Sequence, residues 1–470
     1  MAFVLLALLP CAAAAQSRDS LQYRVSLRPA AAAADVEARW RVTAGGAVPL
    51  LAPSSGGSGG VSLTAFEATD AAGRPVPVRR TATGFAVDVA GGGTLRLRYR
   101  VGFLRRIPDG STGSGMDSER LYAVTRSLFV APDPTALRKI GRPYPEVVVR
   151  VDGPPTWRVV GGWPAEGGAF HPADGDALLG ATLAAAADYR SYEGQAGSTT
   201  WRLSVRGRRY FSDSALTATI AASLARGAAV LGPAPEALVT YTADVGRKGR
   251  MSGSLQGTAS IGLVWEPSEI LALGRTHDLF HETLHLWFGG ALETERWWVE
   301  GVTDYLAARL VAEWHGAADD LAFLCFQSLH NYREIAHNTR FTMAEENRRR
   351  VGGDNSELLV YRKGMLAGLL LDAAFRQSSG GRRSLDDLAR ALLAAADRRR
   401  SRFVREPEVR AAAVRLGGPD VAAVWDRVVA GTDLLTEEDV RVALRVVTGR
   451  TFEVPAPLSK ERKELRGEER

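Results

Sequence analysis

Residues 281–285 read His-Glu-Thr-Leu-His, and this run constrains the fold more than any other part of the chain. Histidines four positions apart lie on one face of an α-helix, where both imidazoles can reach one metal ion. Neutral imidazole nitrogens suit zinc, and a catalytic zinc ion keeps one coordination position open for water. Glu282 follows the first histidine and can take a proton from that water without binding the metal. The run therefore predicts a helix in which His281 and His285 hold zinc and Glu282 is the general base.

The metal needs a third protein ligand, and Glu300 is the strongest candidate. It begins a predicted amphipathic helix at 300–316, whose apolar residues recur at helical spacing. The glycine pair at 289–290 is predicted to end the first helix, so that the second helix returns antiparallel to it. Glu293 and Glu295 are alternatives, but both lie in the connecting segment, where no helix fixes them.

Two further residues follow from the helical spacing around these ligands. Asp304 lies one turn beyond Glu300, where its carboxylate can orient a ligand histidine through the second ring nitrogen. His277 lies one turn before His281, and we interpret it as a core or capping histidine rather than a ligand. The alternative to a metal site is a buried pair of helices, in which the histidines only form hydrogen bonds within the core.

His281, Glu282, His285 and Glu300, the last within the run WWVEG, resemble the gluzincin metallopeptidases. These include the thermolysin, aminopeptidase N and glycyl aminopeptidase families, and the chain is most similar to the glycyl aminopeptidases. The resemblance implies a thermolysin-like catalytic domain that holds one zinc ion and acts on a peptide or protein. One departure is the loop 286–299, which is shorter than the aminopeptidase N pattern.

The same resemblance assigns roles to two other segments. Tyr361 begins the run Tyr-Arg-Lys-Gly, similar to a gluzincin Tyr-x-Lys-Gly motif whose tyrosine stabilises the oxyanion. Upstream, SGSLQG at 252–257 resembles the family run GGGLEH, in which the glutamate holds the free amine of the substrate. Gly253 and Gln256 are therefore predicted to bind substrate, although an amide at 256 loses the charge attraction to an ammonium group. The alternatives are a tyrosine packed on an amphipathic helix and an ordinary glycine-rich hairpin.

The pattern along the chain predicts a multi-domain α+β protein. Short alternating segments between glycine- and proline-rich turns indicate strands before residue 190, and alanine- and arginine-rich runs near the C-terminus indicate helices. The predicted parts are a signal peptide at 1–15, an N-terminal β-sandwich-like domain at 16–190, a thermolysin-like catalytic domain at 191–377, a C-terminal helical region at 378–456 and a charged, disordered tail at 457–470.

Composition excludes some functions and indicates a compartment. The formal net charge is +6, but no basic stripe interleaved with aromatic residues indicates nucleic-acid binding. The apolar run at 1–15 ends in small residues and resembles a secretory signal, so we expect export to the periplasm or the medium. A lipid anchor on Cys11 is the alternative. No other run of 18 apolar residues occurs, so we expect no transmembrane segment in the mature chain.

The predicted function is that of a zinc-dependent peptidase, aminopeptidase-like, which hydrolyses peptide bonds with a metal-activated water. Two alternatives remain open at this point. One is a catalytically silent protein that keeps the fold for binding, which Gln256 and the short loop favour. The other is a zinc hydrolase of non-peptide amides, because the same residues can perform that reaction. The oligomeric state does not follow from the sequence.

Overall fold

The computed structural model describes residues 19–43, 45–54, 60–104, 111–245, 252–266, 272–336, 342–345, 356–399 and 401–455. The predicted signal peptide at 1–15, including Cys11, lies outside these residues. So does the predicted charged tail at 457–470.

The N-terminal part of the chain consists mainly of β-strands. Its strands and two short helices are β1 (Ser20–Arg28), β2 (Ala33–Arg41), β3 (Gly46–Leu51), β4 (Ser62–Thr69), β5 (Val78–Arg80), β6 (Gly84–Val89), β7 (Thr94–Gly102), β8 (Gly115–Met116), β9 (Arg120–Val124), β10 (Ala131–Pro132), α1 (Pro134–Lys139), β11 (Glu146–Asp152), β12 (Arg158–Gly161), β13 (Ala165–Glu166), β14 (Ala169–Phe170), α2 (Gly175–Leu179) and β15 (Thr182–Ala186).

These strands form three sheets around one apolar core. Within the described residues, the sheet orders are β13-β14-β11-β1-β2-β7-β4, β10-β3-β6-β5 and β12-β15-β9-β8. Burial alternates along the strands of the first sheet, so that Tyr23 and Val25 enter the core while Arg24 faces solvent. This alternation is what a strand with one buried face requires, and it matches the predicted sandwich-like arrangement.

The third sheet is buried on both faces. Leu121 and Leu183, on β9 and β15, pack into the N-terminal core, whereas Tyr122 and Ala184 point the other way and pack against Val264 of the next sheet. Because successive side chains on a strand alternate between faces, two short strands join two cores. The sheet thereby fixes the N-terminal part against the part that carries the candidate site.

The second core is built on a five-stranded sheet of order β16-β17-β18-β20-β19. Strands β17, β18 and β20 are parallel, and β19 is antiparallel at one end of the sheet. The elements in chain order are β16 (Arg190–Ala196), β17 (Thr199–Val205), α3 (Asp213–Leu231), β18 (Leu238–Val245), β19 (Ser252–Gln256), β20 (Ser260–Trp265) and α4 (Leu273–Leu284).

Helices complete the molecule after α4. Among the described residues, these are α5 (Thr303–His315), α6 (Ala318–Ala336), α7 (Ser356–Ser379), α8 (Leu385–Arg399), α9 (Glu406–Val428) and α10 (Glu437–Thr448), with a π-helix at Trp297–Val302 before α5. The predicted fold class is confirmed, since several sheets are followed by a C-terminal helical region.

Helix α3 is the one helix of the described residues that is long and apolar enough to cross a membrane, by length and composition alone. Its Leu216, Ile220 and Leu224 are buried in the second core, in which α3 packs beside α4. The apolar composition is therefore explained by packing against the five-stranded sheet, and we interpret α3 as a core helix.

Candidate metal centre

The two motif histidines are carried to one point by α4. His281 lies in the last turn of this helix, and His285 directly follows it with backbone angles that are still helical (φ −60°, ψ −17°). Their ring centroids are 4.5 Å apart. The helical spacing thus brings both imidazoles together as the sequence predicts.

Glu300 faces this pair from the π-helix. Its Oε2 atom lies 3.5 Å from Nε2 of His281 and 3.4 Å from Nε2 of His285. One ligand atom from each of the three residues lies within 4.8 Å of the others, which is the spacing of a metal site. Within the described part of the chain, no other group of three histidine, cysteine or acidic residues has this spacing.

The local structure around Glu300 differs from the prediction. Residues Trp297–Val302 form a π-helix, and α5 begins only at Thr303, so Glu300 does not begin an α-helix. Trp297 and Trp298 are both buried and anchor the start of the segment. A π-helical turn is wider than an α-helical one and occurs often at functional sites.

One rival ligand is held elsewhere by its own contacts. The carboxylate of Glu293 pairs with Arg402, with Oε2 3.0 Å from Nε. Its backbone nitrogen donates to the carbonyl of Arg402, and its carbonyl accepts from the nitrogen of Val404. The other rival, Glu295, does not belong to the three-residue cluster formed by the described residues.

The second nitrogen of each ligand histidine lies beside an oxygen atom, in an ion pair for His281 and in a hydrogen bond for His285. Nδ1 of His281 lies 2.8 Å from Oδ1 of Asp304, and Nδ1 of His285 lies 2.9 Å from the carbonyl oxygen of Phe288. Such partners fix the ring orientation and direct Nε2 toward the metal position. His277 is buried, and its Nε2 lies 3.0 Å from the carbonyl oxygen of Asp304, so it packs behind the cluster.

Electrostatics within the cluster match a cation site. Burial alone would raise the pKa of Glu300, but the two histidines outweigh burial and hold that pKa well below its ordinary value. Burial alone would also raise the pKa of Asp304, but His281 outweighs it and lowers that pKa. Both carboxylates therefore stay charged in a buried position, which complements a bound cation.

Glu282 lines a cleft beside the three-residue cluster. The cleft has a volume of about 300 Å³ and also exposes His281, His285 and Glu300. Burial raises the pKa of Glu282, and the nearby histidines only partly offset this effect. A carboxylate with a raised pKa next to a metal position has the property that a general base needs, since it can hold the proton that it removes.

Strand β19 forms one wall of the cleft. A Cβ atom on Gly253 would lie 2.3 Å from Cγ of Glu282, so only glycine allows the strand to pass this close to the carboxylate. Leu255 and Gly257 also line the cleft. The predicted position of Gly253 at the candidate substrate wall agrees with this geometry.

The structure does not bring Gln256 to the cleft. Its side chain is 3% exposed, and its Nε2 donates to Oγ of Ser254. Because side chains alternate along a strand, Gln256 shares its face of β19 with Ser252 and Ser254, which bond to Ser111 of the N-terminal part. Among the described residues that line the cleft, Gln256 is therefore missing, whereas Gly253 and Leu255 are present.

Tyr361 lies on α7 and lines the same cleft as the cluster. Its ring centroid is 6.1 Å from that of His281, and both Tyr361 and Glu300 line the cleft. Burial, reinforced by Glu300, raises the pKa of Tyr361 well above the ordinary value. The hydroxyl therefore keeps its proton and remains a hydrogen-bond donor that faces the cleft.

Arg296, which the sequence did not indicate, also contacts the cluster. Nη2 of Arg296 lies 3.2 Å from Oε1 of Glu300, the carboxylate oxygen that does not face the histidines. The available signal was the spacing of four residues between them, which places two side chains on one face of a helix.

Comparisons with known proteins bear on this arrangement. A comparison with family models and one with curated proteins both find no match. The structure is similar to that of an aminopeptidase N family protein from Idiomarina loihiensis, with a TM-score of 0.75 and 17% identity over 89% of this chain and 77% of that one.

Two further crystal structures extend this likeness. An M1 zinc metallopeptidase from Deinococcus radiodurans has a TM-score of 0.56 and 16% identity over 90% of this chain and 96% of that one. A mutant of that enzyme bound to a Tyr-Ser-Ala substrate has a TM-score of 0.56 and 15% identity over the same shares. At these identities the likeness shows the fold alone: the chain shares the fold of the aminopeptidase N family protein and of the M1 zinc metallopeptidase.

Proposed function

We propose that the chain is a zinc-dependent peptidase that hydrolyses peptide bonds through a metal-activated water. One observation carries the proposal. Three ligand atoms, from His281, His285 and Glu300, lie within 4.8 Å of one another on the wall of a cleft that also exposes Glu282. The M1 fold supports the same conclusion, because the structures that share it include zinc metallopeptidases.

The donor set fits zinc. Two imidazole nitrogens and one carboxylate oxygen are ligands that zinc accepts, and three protein ligands leave a position for water. Nδ1 of each histidine already has a partner in Asp304 or Phe288, so Nε2 remains for the metal. Zinc bound there would polarise the substrate carbonyl and lower the pKa of water.

The remaining chemistry falls to Glu282 and Tyr361. Glu282 takes a proton from the attacking water and then returns it to the leaving amine, and its raised pKa suits both steps. Tyr361 keeps its proton and donates a hydrogen bond to the oxygen that becomes negatively charged. Both side chains line the same cleft as the histidine pair.

The substrate that we propose is a peptide that lies along β19. This strand ends the sheet order, and Gly253 lets an extended chain approach Glu282 closely. An aminopeptidase-like activity would follow the structural neighbours, one of which binds a Tyr-Ser-Ala substrate. Because Gln256 is buried and bonded to Ser254, we expect only a weak preference for a free substrate amine.

Two further expectations belong to the same proposal. The first is export, with 1–15 as a signal sequence, so that the enzyme acts on peptides outside the cytoplasm. The second is the division into an N-terminal domain at 16–190, a catalytic domain at 191–377 and a helical region at 378–456. In support, β15 ends in the third N-terminal sheet and β16 opens the five-stranded sheet.

The test combines metal analysis with two variants. Wild-type protein should contain one zinc ion per chain, His285→Ala should lose it, and Glu282→Gln should keep it. Removing a general base should lower kcat by about a hundredfold to ten-thousandfold. A Glu282→Gln variant that kept most of its activity would exclude this mechanism, and the absence of zinc from wild-type protein after loading would favour a silent binding protein.

Matched peptides separate amino- from endopeptidase action. A short peptide and its N-acetylated form differ only in the free amine. We expect kcat/KM for the two to agree within about tenfold, because no charge-assisted bond from Gln256 reaches the amine. A strict requirement for the free amine would contradict the expected weak preference and would favour an aminopeptidase.

A further inference from the structure

The two oxygens of Glu300 have different surroundings. Oε2 faces the Nε2 atoms of His281 and His285, at 3.5 and 3.4 Å. Oε1 lies 3.2 Å from Nη2 of Arg296. The two oxygens of this carboxylate thus have different neighbours: Oε2 faces the metal position, and Oε1 pairs with a guanidinium group.

We propose that Arg296 is a positioning residue that restricts Glu300 to a single metal-binding oxygen. This inference rests on the proposed zinc site. A carboxylate can bind a metal through one oxygen or through both, and a second oxygen would take the position that water must occupy. An ion pair on Oε1 keeps that oxygen away from the metal and leaves the position open.

The local structure keeps this ion pair in place. Arg296 directly precedes the π-helix, four residues before Glu300, and the buried side chains of Trp297 and Trp298 fix the turn between them. The side chain of Arg296 is 31% exposed and that of Glu300 is 12% exposed, so water screens the pair only in part. The planar guanidinium group of arginine fits a carboxylate better than the ammonium group of lysine does.

Tyr361 gives this pairing a further consequence. In the structure its hydroxyl lies near enough to Glu300 for the carboxylate to help raise the pKa of Tyr361. During the proposed reaction that hydroxyl would donate to the substrate oxyanion instead, and Glu300 would lose one of its partners. Arg296 would then be the charged partner that still holds Oε1. The hold of Arg296 on Glu300 should therefore matter most once the substrate oxyanion has formed. Its loss should for that reason affect kcat more than KM.

Removal of the guanidinium should separate metal binding from catalysis. In Arg296→Met, a cation leaves the vicinity of the metal and a second oxygen becomes available to it. Both changes favour the metal, so zinc should bind at least as tightly as in the wild type. By contrast, kcat should fall by about tenfold to a hundredfold with little change in KM. A purely structural arginine would instead lower zinc affinity and thermal stability together.

Cobalt substitution gives a readout that does not depend on activity. Four-coordinate cobalt(II) absorbs visible light more strongly than five-coordinate cobalt(II). The wild-type protein should give the stronger spectrum and Arg296→Met the weaker one, with Arg296→Lys between them. Arg402→Met is the matched control, because Arg402 pairs with Glu293, a carboxylate outside the cluster, and it should match the wild type in spectrum and kcat.

The outcomes distinguish this inference from the proposed function. If wild-type protein binds zinc and cleaves peptides while Arg296→Met keeps the wild-type cobalt spectrum and kcat, the inference about Arg296 is wrong and the peptidase proposal stands. Zinc affinity that falls together with the melting temperature would also overturn the inference. If the wild type binds no zinc, both proposals fail.

Discussion

The two ligand histidines are oriented by chemically different partners. His281 is held by the carboxylate of Asp304, whereas His285 is held by the backbone carbonyl of Phe288. A carboxylate partner makes an imidazole a stronger metal ligand than a neutral carbonyl partner does. The two histidines should therefore contribute unequally to metal affinity, with the larger share from His281.

The proposed oxyanion donor can be tested by removing one hydroxyl group. Tyr361→Phe keeps the ring beside His281 but removes the group that would stabilise the developing charge. We expect kcat to fall by about a hundredfold to a thousandfold, with zinc content and KM nearly unchanged. The measurement is steady-state kinetics on zinc-loaded protein. Tyr192→Phe is the control, because its hydroxyl bonds to Asp213 outside the cleft, and equal losses in both variants would exclude the role of Tyr361.

Sequence spacing predicted the residues whose geometry is local. His281 and His285 lie within one helical stretch, so their common face follows from the helical period alone. The orientation of Gln256 does not follow in this way, because the face of a strand depends on its register with a neighbour. The structure pairs Gln256 with Ser260, and this register turns the amide toward the N-terminal part.

At the level of elements, the site depends on a close crossing of two helical segments. The π-helix that carries Glu300 contacts α7, which carries Tyr361, through their glycines. A Cβ atom on Gly301 would lie 2.4 Å from Cα of Gly364, and one on Gly364 would lie 2.7 Å from the carbonyl oxygen of Trp297. Both contacts are with backbone atoms, which cannot turn aside as a side chain can. The glycines therefore set the distance between the metal ligand and the oxyanion donor.

One methyl group should separate these two segments. In Gly364→Ala the backbone must shift, and overpacking of this kind costs about 1–3 kcal/mol of stability. We expect weaker zinc binding in a chelator competition and a lower kcat, because Glu300 and Tyr361 move apart. Gly274→Ala on α4 is the control, since a Cβ atom there meets nothing within 4 Å. Wild-type zinc affinity in Gly364→Ala would show that the crossing does not position the ligand.

The π-helix itself could not be predicted from the sequence. Its residues, Trp297–Val302, continue directly into α5, and the apolar spacing of the combined run is that of one amphipathic helix. The wider turn becomes evident only from the backbone. By contrast, α3 at Asp213–Leu231 is one continuous α-helix, and no competing feature interrupts its pattern.

At the scale of the whole molecule, the pairing of distant strands determines the architecture. β1 pairs with β2 next to it in the chain but also, in parallel, with β11 more than a hundred residues later. Alternating polarity predicts that such segments are strands, but it does not determine which strands pair. The sequence therefore predicted a β-rich N-terminal part without its three sheets, and it did not predict that the third sheet joins the two cores.

A buried ion pair reinforces this junction and gives a test of it. Nη1 of Arg120 on β9 lies 2.6 Å from Oδ1 of Asp244 on β18, and both side chains are largely buried. Arg120→Met leaves Asp244 with the backbone nitrogen of Val245 and with longer contacts to Arg206 and Tyr189, at 3.4 and 3.2 Å. A buried charge that loses its closest cation is destabilising, so unfolding by urea should need about 3 kcal/mol less free energy. In the control Arg138→Met, the lost pair with Asp176 is exposed and should matter little.

Tryptophan fluorescence and circular dichroism should report one shared shift in Arg120→Met if the two cores unfold together. A shift no larger than in Arg138→Met would mean that apolar packing alone joins them.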